Sequence, residues 1–201
     1  EEMIRIIELG GSVPLVRLSA NDPVQIKRVM DAGAHGIIVP MVNSRKDVYE
    51  IISAVHYPDK GVRGVGLARA QGYGTRFHEY RKWLLKEAVI IVQIEHVDAV
   101  KNIKEILSCD DVDGYIIGPY DLSSTMGLAG QFDHPDVVAA LKNIREEGSV
   151  AKKPGGLHIV EPNQEELKLR IGEGFRFLAY SVDERMLDVS CRAGLKVRDQ
   201  I

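Results

Sequence analysis

Six short apolar runs in this chain are each followed by a stretch whose apolar residues recur at helical spacing, and this alternation constrains the fold most. The runs are Pro14–Leu18, Gly36–Met41, Val89–Glu95, Asp113–Gly118, Gly156–Val160 and Phe175–Ser181. A helical crossover returns the chain to the same end of a sheet, so strands joined this way pair in parallel. The fold class is therefore α/β. Two architectures satisfy the pattern: an open doubly wound sheet, or a closed (β/α)8 barrel, which typically needs ~250 residues. At 201 residues the chain is two strands short of a barrel. Residues 1 to 8 read as a helix with no strand ahead of it. The expectation is one domain over residues 1–201, lacking an N-terminal βαβ portion.

Local signals place the helices. Asn21-Asp22-Pro23 is a cap followed by proline at the first helical position, and Gly33 closes that helix. Ser44 caps a helix bearing Val48, Ile51, Ile52 and Val55. Further helices are expected over Val97–Leu107, around Pro135–Arg145, from about Pro162 and from Asp183. Residues 57 to 75 form the one long irregular stretch. Phe77, Tyr80, Trp83 and Leu84 suit either a contact between subunits or a core helix.

Charge and composition narrow the function classes. With 26 basic and 29 acidic side chains the net charge is −3, which argues against nucleic acid or an anionic membrane as partner. No apolar run approaches the ~18 residues of a membrane span, and the first residues lack the charged start of a signal peptide. Cys109 and Cys191 have no metal-type spacing, so the expected setting is a reducing compartment such as the cytoplasm.

Active groups in parallel α/β folds sit where strands end. Arg17 ends the first strand, Gln93 and Glu95 end the third in Val-Gln-Ile-Glu, and Asp121 follows the fourth in Gly-Pro-Tyr-Asp-Leu-Ser. Gln93 and Glu95 are two apart and share a face. A Glu and an Asp from neighbouring strands make a hard oxygen site suited to Mg2+ or Mn2+. Arg17 is then placed for a carboxylate, and a 2-oxo acid offers that carboxylate together with a keto oxygen. A cation there would act as a Lewis acid while an enolate forms. Each residue also has a plainer reading. Arg17 and Glu95 suit surface or structural ion pairs, and Asp121 suits a cap for Leu122-Ser-Ser.

Other features are less specific. The segment 61–74 holds five glycines with Arg63 and Arg69, and could bind anions through backbone amides or serve as a lid or subunit contact. It matches neither a Walker A sequence nor a dinucleotide fingerprint. Among six histidines only His96 and His158 lie near the strand ends, while His134 looks like a helix-entry residue. Lys152 and Lys153 precede their strand, which disfavours an imine mechanism.

Taken in order, Pro-Leu-Val-Arg, Asn-Asp-Pro, Ala-Gly-Ala-His-Gly-Ile-Ile-Val-Pro-Met-Val, Gly-Val-Arg-Gly-Val-Gly, Val-Gln-Ile-Glu and Gly-Pro-Tyr-Asp-Leu-Ser-Ser-Thr-Met-Gly carry a resemblance. From about Pro14 to Asp183 the chain resembles HpcH/HpaI-type class II pyruvate aldolases, which cleave 4-hydroxy-2-oxoheptanedioate or 2-keto-3-deoxy sugar acids. The resemblance implies a (β/α)8 TIM barrel, here without its first one or two strands. It implies a divalent cation (Mg2+ or Mn2+, with Co2+ a further candidate), a 2-oxo acid and an aldehyde as small-molecule partners, and a homo-oligomer, commonly a hexamer. It places metal ligands at Glu95 and Asp121, pyruvate-holding side chains at Arg17 and Gln93, and pyruvate-contacting amides at Tyr120 and Asp121. It puts the family's acid/base histidine before residue 1. Tyr120 stands where a smaller residue is usual, and Gly-Gly-Leu-His-Ile-Val differs from the usual strand ending, so the aldehyde pocket is expected to differ. The rival readings are a citryl-CoA or malyl-CoA lyase-like enzyme, and a catalytically silent barrel that binds metabolites.

Overall fold

The computed structural model describes residues 1 to 198. Six strands, β1 (Leu15–Arg17), β2 (Gly36–Val39), β3 (Val89–Ile94), β4 (Gly114–Ile117), β5 (Gly155–Ile159) and β6 (Phe177–Tyr180), form one sheet. Every neighbouring pair is parallel, and the spatial order is β1-β2-β3-β4-β5-β6. This order decides between the two architectures. A doubly wound sheet reverses direction at a switch point, whereas right-handed crossovers in strictly sequential order put every helix on one face and curl the sheet. The result is an α/β fold of barrel type, seen here as a six-stranded open arc.

The helices follow the local signals, with some exceptions. They are α1 (Glu2–Leu9), α2 (Pro23–Asp31), α3 (Arg45–Val55), α4 (Phe77–Glu87), α5 (Val97–Lys101), α6 (Ile103–Leu107), α7 (Pro119–Thr125), α8 (Pro135–Val150), α9 (Gln164–Gly172) and α10 (Asp183–Arg198). Asp22 caps α2 through the Val24 amide, and Ser44 with Asp47 forms a full capping box on α3. The expected single helix over 97–107 is two helices that meet at Asn102, whose side chain donates to the Asn43 carbonyl at 2.8 Å. Asp121 is not a cap: it lies in the first turn of α7, and Gly118 holds the N-cap position. Tyr80 and Leu84 are buried, and Phe77 and Trp83 pack partly buried against the same core, so α4 has a core-facing side.

Strand alternation sorts the sheet into two faces. Ile37, Ile90, Val92, Ile94, Tyr115, Ile117 and Leu157 face the helices and join Ile26, Met30, Ile51, Ile106 and Leu107 in one apolar core. Each fully buried side chain of this size contributes about 1.5–3 kcal/mol. The intervening residues, including Ile38, Ile91, Gln93, Ile116 and His158, turn to the opposite, concave face. Among the described residues no helix is long and apolar enough to cross a membrane.

The glycine-rich segment is not an anion cradle at Arg63. That side chain is fully buried, donates to the Val55 carbonyl (2.9 Å), the Tyr57 hydroxyl (2.8 Å) and the Tyr80 hydroxyl (3.0 Å), and stacks 4.3 Å over the Tyr57 ring. Asp31 lies 3.6 Å from its Nε. Arg69 pairs with Glu8 and donates to the Ala32 carbonyl. Both arginines anchor the segment to the body of the fold.

Candidate active site

Gln93 and Glu95 reach the C-terminal end of β3 on the concave face because Val92 and Ile94, between and beside them, are drawn into the core. Glu95 is 3% exposed. Its Oε1 accepts the Met41 amide at 2.8 Å and its Oε2 accepts Gln93 Nε2 at 2.5 Å. Gln93 Oε1 in turn accepts Arg17 Nε at 3.3 Å. Three strand ends are thus tied into one chain of hydrogen bonds, with the exposed Arg17 guanidinium at its outer end. Met41 makes this possible with φ at 54°, a left-handed conformation that points its N–H at the carboxylate.

Gly118, at the end of β4, leaves the space that Glu95 occupies. A Cβ there would meet Glu95 Cβ at 2.9 Å, Glu95 Oε2 at 3.0 Å and Gln93 Nε2 at 3.2 Å. Its φ of −102° is open to any residue, so the requirement is room and not conformation. Asp121, one turn on, is exposed, while Tyr120 packs edge-on against Phe132 at 4.8 Å.

Burial pushes the Glu95 carboxyl above its ordinary value, and the Asp121 charge pushes the same way; the Met41 amide, Arg17 and Gln93 pull it back without cancelling the rise. A buried carboxylate in that condition is short of positive charge. Glu95 and Asp121 are hard oxygen donors, and among the described residues no third His, Cys, Asp or Glu joins them. Mg2+ is commonly held by one or two carboxylates with its other positions filled by water or substrate, so the donor set fits such an ion.

The histidines resolve differently. His96 caps α5, its Nδ1 accepting the Asp98 amide at 3.1 Å, and His134 caps α8 through the Asp136 amide at 3.3 Å. His96 thus has the structural role of a helix cap. His158 lies on the concave face of β5. Sequence reasoning missed Met41, because a backbone donor carries no side-chain signature.

Against known proteins, the family model described as HpcH/HpaI aldolase/citrate lyase matches residues 2–187. The chain belongs to that family. A 4-hydroxy-2-oxo-heptane-1,7-dioate aldolase of Escherichia coli is 42% identical over 182 residues, covering 88% of this chain and 67% of the relative. An HpcH/HpaI aldolase of Desulfitobacterium hafniense superposes with a TM-score of 0.89 at 28% identity, covering 99% of this chain and 77% of that one. A CitE protein of Mycobacterium tuberculosis, solved with magnesium and acetoacetate, shares the fold at a TM-score of 0.56 and 15% identity, over 82% of this chain and 61% of that one. The chain is more similar in sequence to these two proteins named as aldolases than to the CitE protein, whose likeness shows the fold alone.

Proposed function

We propose that this HpcH/HpaI family member is a divalent-metal-dependent carbon–carbon lyase that reversibly cleaves a 4-hydroxy-2-oxo acid to pyruvate and an aldehyde. The observation that carries the reading is the buried Glu95 carboxylate, short of positive charge and linked through Gln93 to an exposed guanidinium. Glu95 and Asp121 would hold the cation, Mg2+ or Mn2+. When bound, it supplies Lewis acidity for negative charge developing on a keto oxygen. Arg17 binds the carboxylate of the 2-oxo acid, where a planar guanidinium makes paired hydrogen bonds. Gln93 holds Arg17 and Glu95 in fixed relation, and the Met41 amide fixes the other oxygen of Glu95. The backbone at Tyr120 and Asp121 offers amides to the 2-oxo acid from the first turn of α7, where unpaired N–H groups favour anions. A homo-oligomer belongs to the same reading.

Cleavage of 4-hydroxy-2-oxoheptanedioate, followed as pyruvate released with Mg2+ or with chelator, tests it. Pyruvate released only with the metal is the expected result; equal release in both, or none with a panel of 4-hydroxy-2-oxo acids, overturns it.

A further inference from the structure

His158 stands in the same row of the sheet as Glu95. The register Ile94 to Ile117 continues to Glu95 beside Gly118, whose amide donates to the Ile94 carbonyl at 3.1 Å. The register Ile117 to Leu157 continues to Gly118 beside His158, and His158 pairs with Ala179. Neighbours in a row of a parallel sheet share a face. Leu157 belongs to the core against the helices, so His158 turns to the concave face with Gln93 and Glu95. The residue between His158 and Glu95 is a glycine. No side chain from β4 separates the two across two strand spacings, roughly 10 Å.

His158 is half-buried, and among the described residues it makes no hydrogen bond or ion pair. A partly desolvated imidazole without a partner gains nothing from its place, whereas one that meets an arriving polar group does. In the strand order Arg17, on β1, and His158, on β5, lie to either side of Glu95 and of Asp121 after β4, so His158 borders the side of the site away from the guanidinium, where the part of the substrate beyond the 2-oxo acid would lie.

We propose that His158 is a specificity-determining residue that hydrogen-bonds a hydroxyl on the aldehyde portion, favouring aldehydes that carry a hydroxyl next to the carbonyl. The inference rests on the aldolase reading above. A neutral imidazole offers one donor and one acceptor, which matches a hydroxyl better than it matches an alkyl group.

Glycolaldehyde and propanal, each condensed with pyruvate, differ by a hydroxyl in place of a methyl. The ratio of their kcat/KM values is measured for the natural protein, H158L and H158Q. Taking the ratio within each protein cancels any change common to both aldehydes. The ratio is expected to fall by about 3- to 10-fold in H158L, the scale of one neutral hydrogen bond, and to be largely kept in H158Q. The same ratio in all three proteins overturns the proposal. A second readout needs no turnover: the His158 ring signals in NMR, assigned by their loss in H158Q, shift when glycolaldehyde is added to pyruvate-loaded protein and stay with propanal. Signals that ignore both aldehydes also overturn it. A natural protein that neither condenses aldehydes nor exchanges pyruvate protons overturns the aldolase reading itself, whereas exchange with an unaltered ratio overturns the role of His158 alone.

Discussion

The amide of Met41 donates to Oε1 of Glu95 at 2.8 Å, across 54 residues of chain and from a backbone held at φ 54°. One strand end therefore fixes a carboxylate carried by the next, and Gln93 fixes its other oxygen. The site is held from behind, and its open side faces Arg17 and Asp121.

Gly118→Ala tests how tightly that carboxylate is seated. The added methyl would lie 2.9 Å from Glu95 Cβ and 3.0 Å from its Oε2, so the carboxylate must move. Overpacking of this kind costs about 1–3 kcal/mol. Thermal unfolding should show that modest loss, and metal-dependent pyruvate release should fall by on the order of 100-fold, since metal sites lose that much when supporting contacts shift. Full activity in a folded variant would show that the position of Glu95 is immaterial.

Arg17→Ala should raise the KM for the 2-oxo acid more than it lowers kcat, because the guanidinium contact is made in the ground state as well as the transition state. Arg17→Lys should recover the charge but not the paired geometry, and so restore only part of the affinity. Steady-state kinetics on both variants distinguishes this from a structural role, which would leave KM untouched.

How much of this was legible in the sequence depended on which group carries the information. The six strands and the Asp22 and Ser44 caps are written in side-chain periodicity and cap chemistry, and the structure places the strands within two residues of where those signals put them at either end. Gln93, Glu95 and Arg17 were legible as polar residues at apolar strand ends. The break at Asn102 was not, because it depends on a bond to the Asn43 carbonyl 59 residues away. The burial of Arg63 was not legible for the same reason: its partners, the Val55 carbonyl and the Tyr57 and Tyr80 hydroxyls, form a niche visible only in the fold.

That niche makes Arg63 a stability residue. Arg63→Ala removes three hydrogen bonds, while Asp31 keeps its ion pair with Lys27 at 2.6 Å. Leaving those buried acceptors unpaired costs about 1–3 kcal/mol. Urea unfolding should show a loss of that order; a loss below about 1 kcal/mol would contradict the buried network.

His56 gives the fold a pH dependence of known sign. Burial first, and then the Lys60 ammonium, lower its pKa from 6.5 to about 4. Between those values the unfolded chain takes up a proton that the folded one refuses. Stability is therefore whole above about pH 6.5 and is lost as pH falls toward 4, by at most about 1.4 kcal/mol per pH unit. Glu95 and Asp113, whose carboxyls burial raises, contribute with the opposite sign, so the effect is read as a difference. Urea midpoints at pH 7, 6 and 5 should fall more steeply for the natural protein than for His56→Gln; parallel curves would contradict the assignment.

The central claim is that Glu95, with Asp121 and Arg17, makes a 2-oxo acid enolise with the help of a divalent cation. Exchange of the pyruvate methyl protons in deuterated water, followed by NMR with Mg2+ or Mn2+ and again with chelator, reads that step without knowledge of the aldehyde. The account expects exchange with the metal, none above background with chelator, and a fall of on the order of 100-fold or more in Glu95→Gln. Exchange that persists under chelation, or that Glu95→Gln leaves intact, would contradict it.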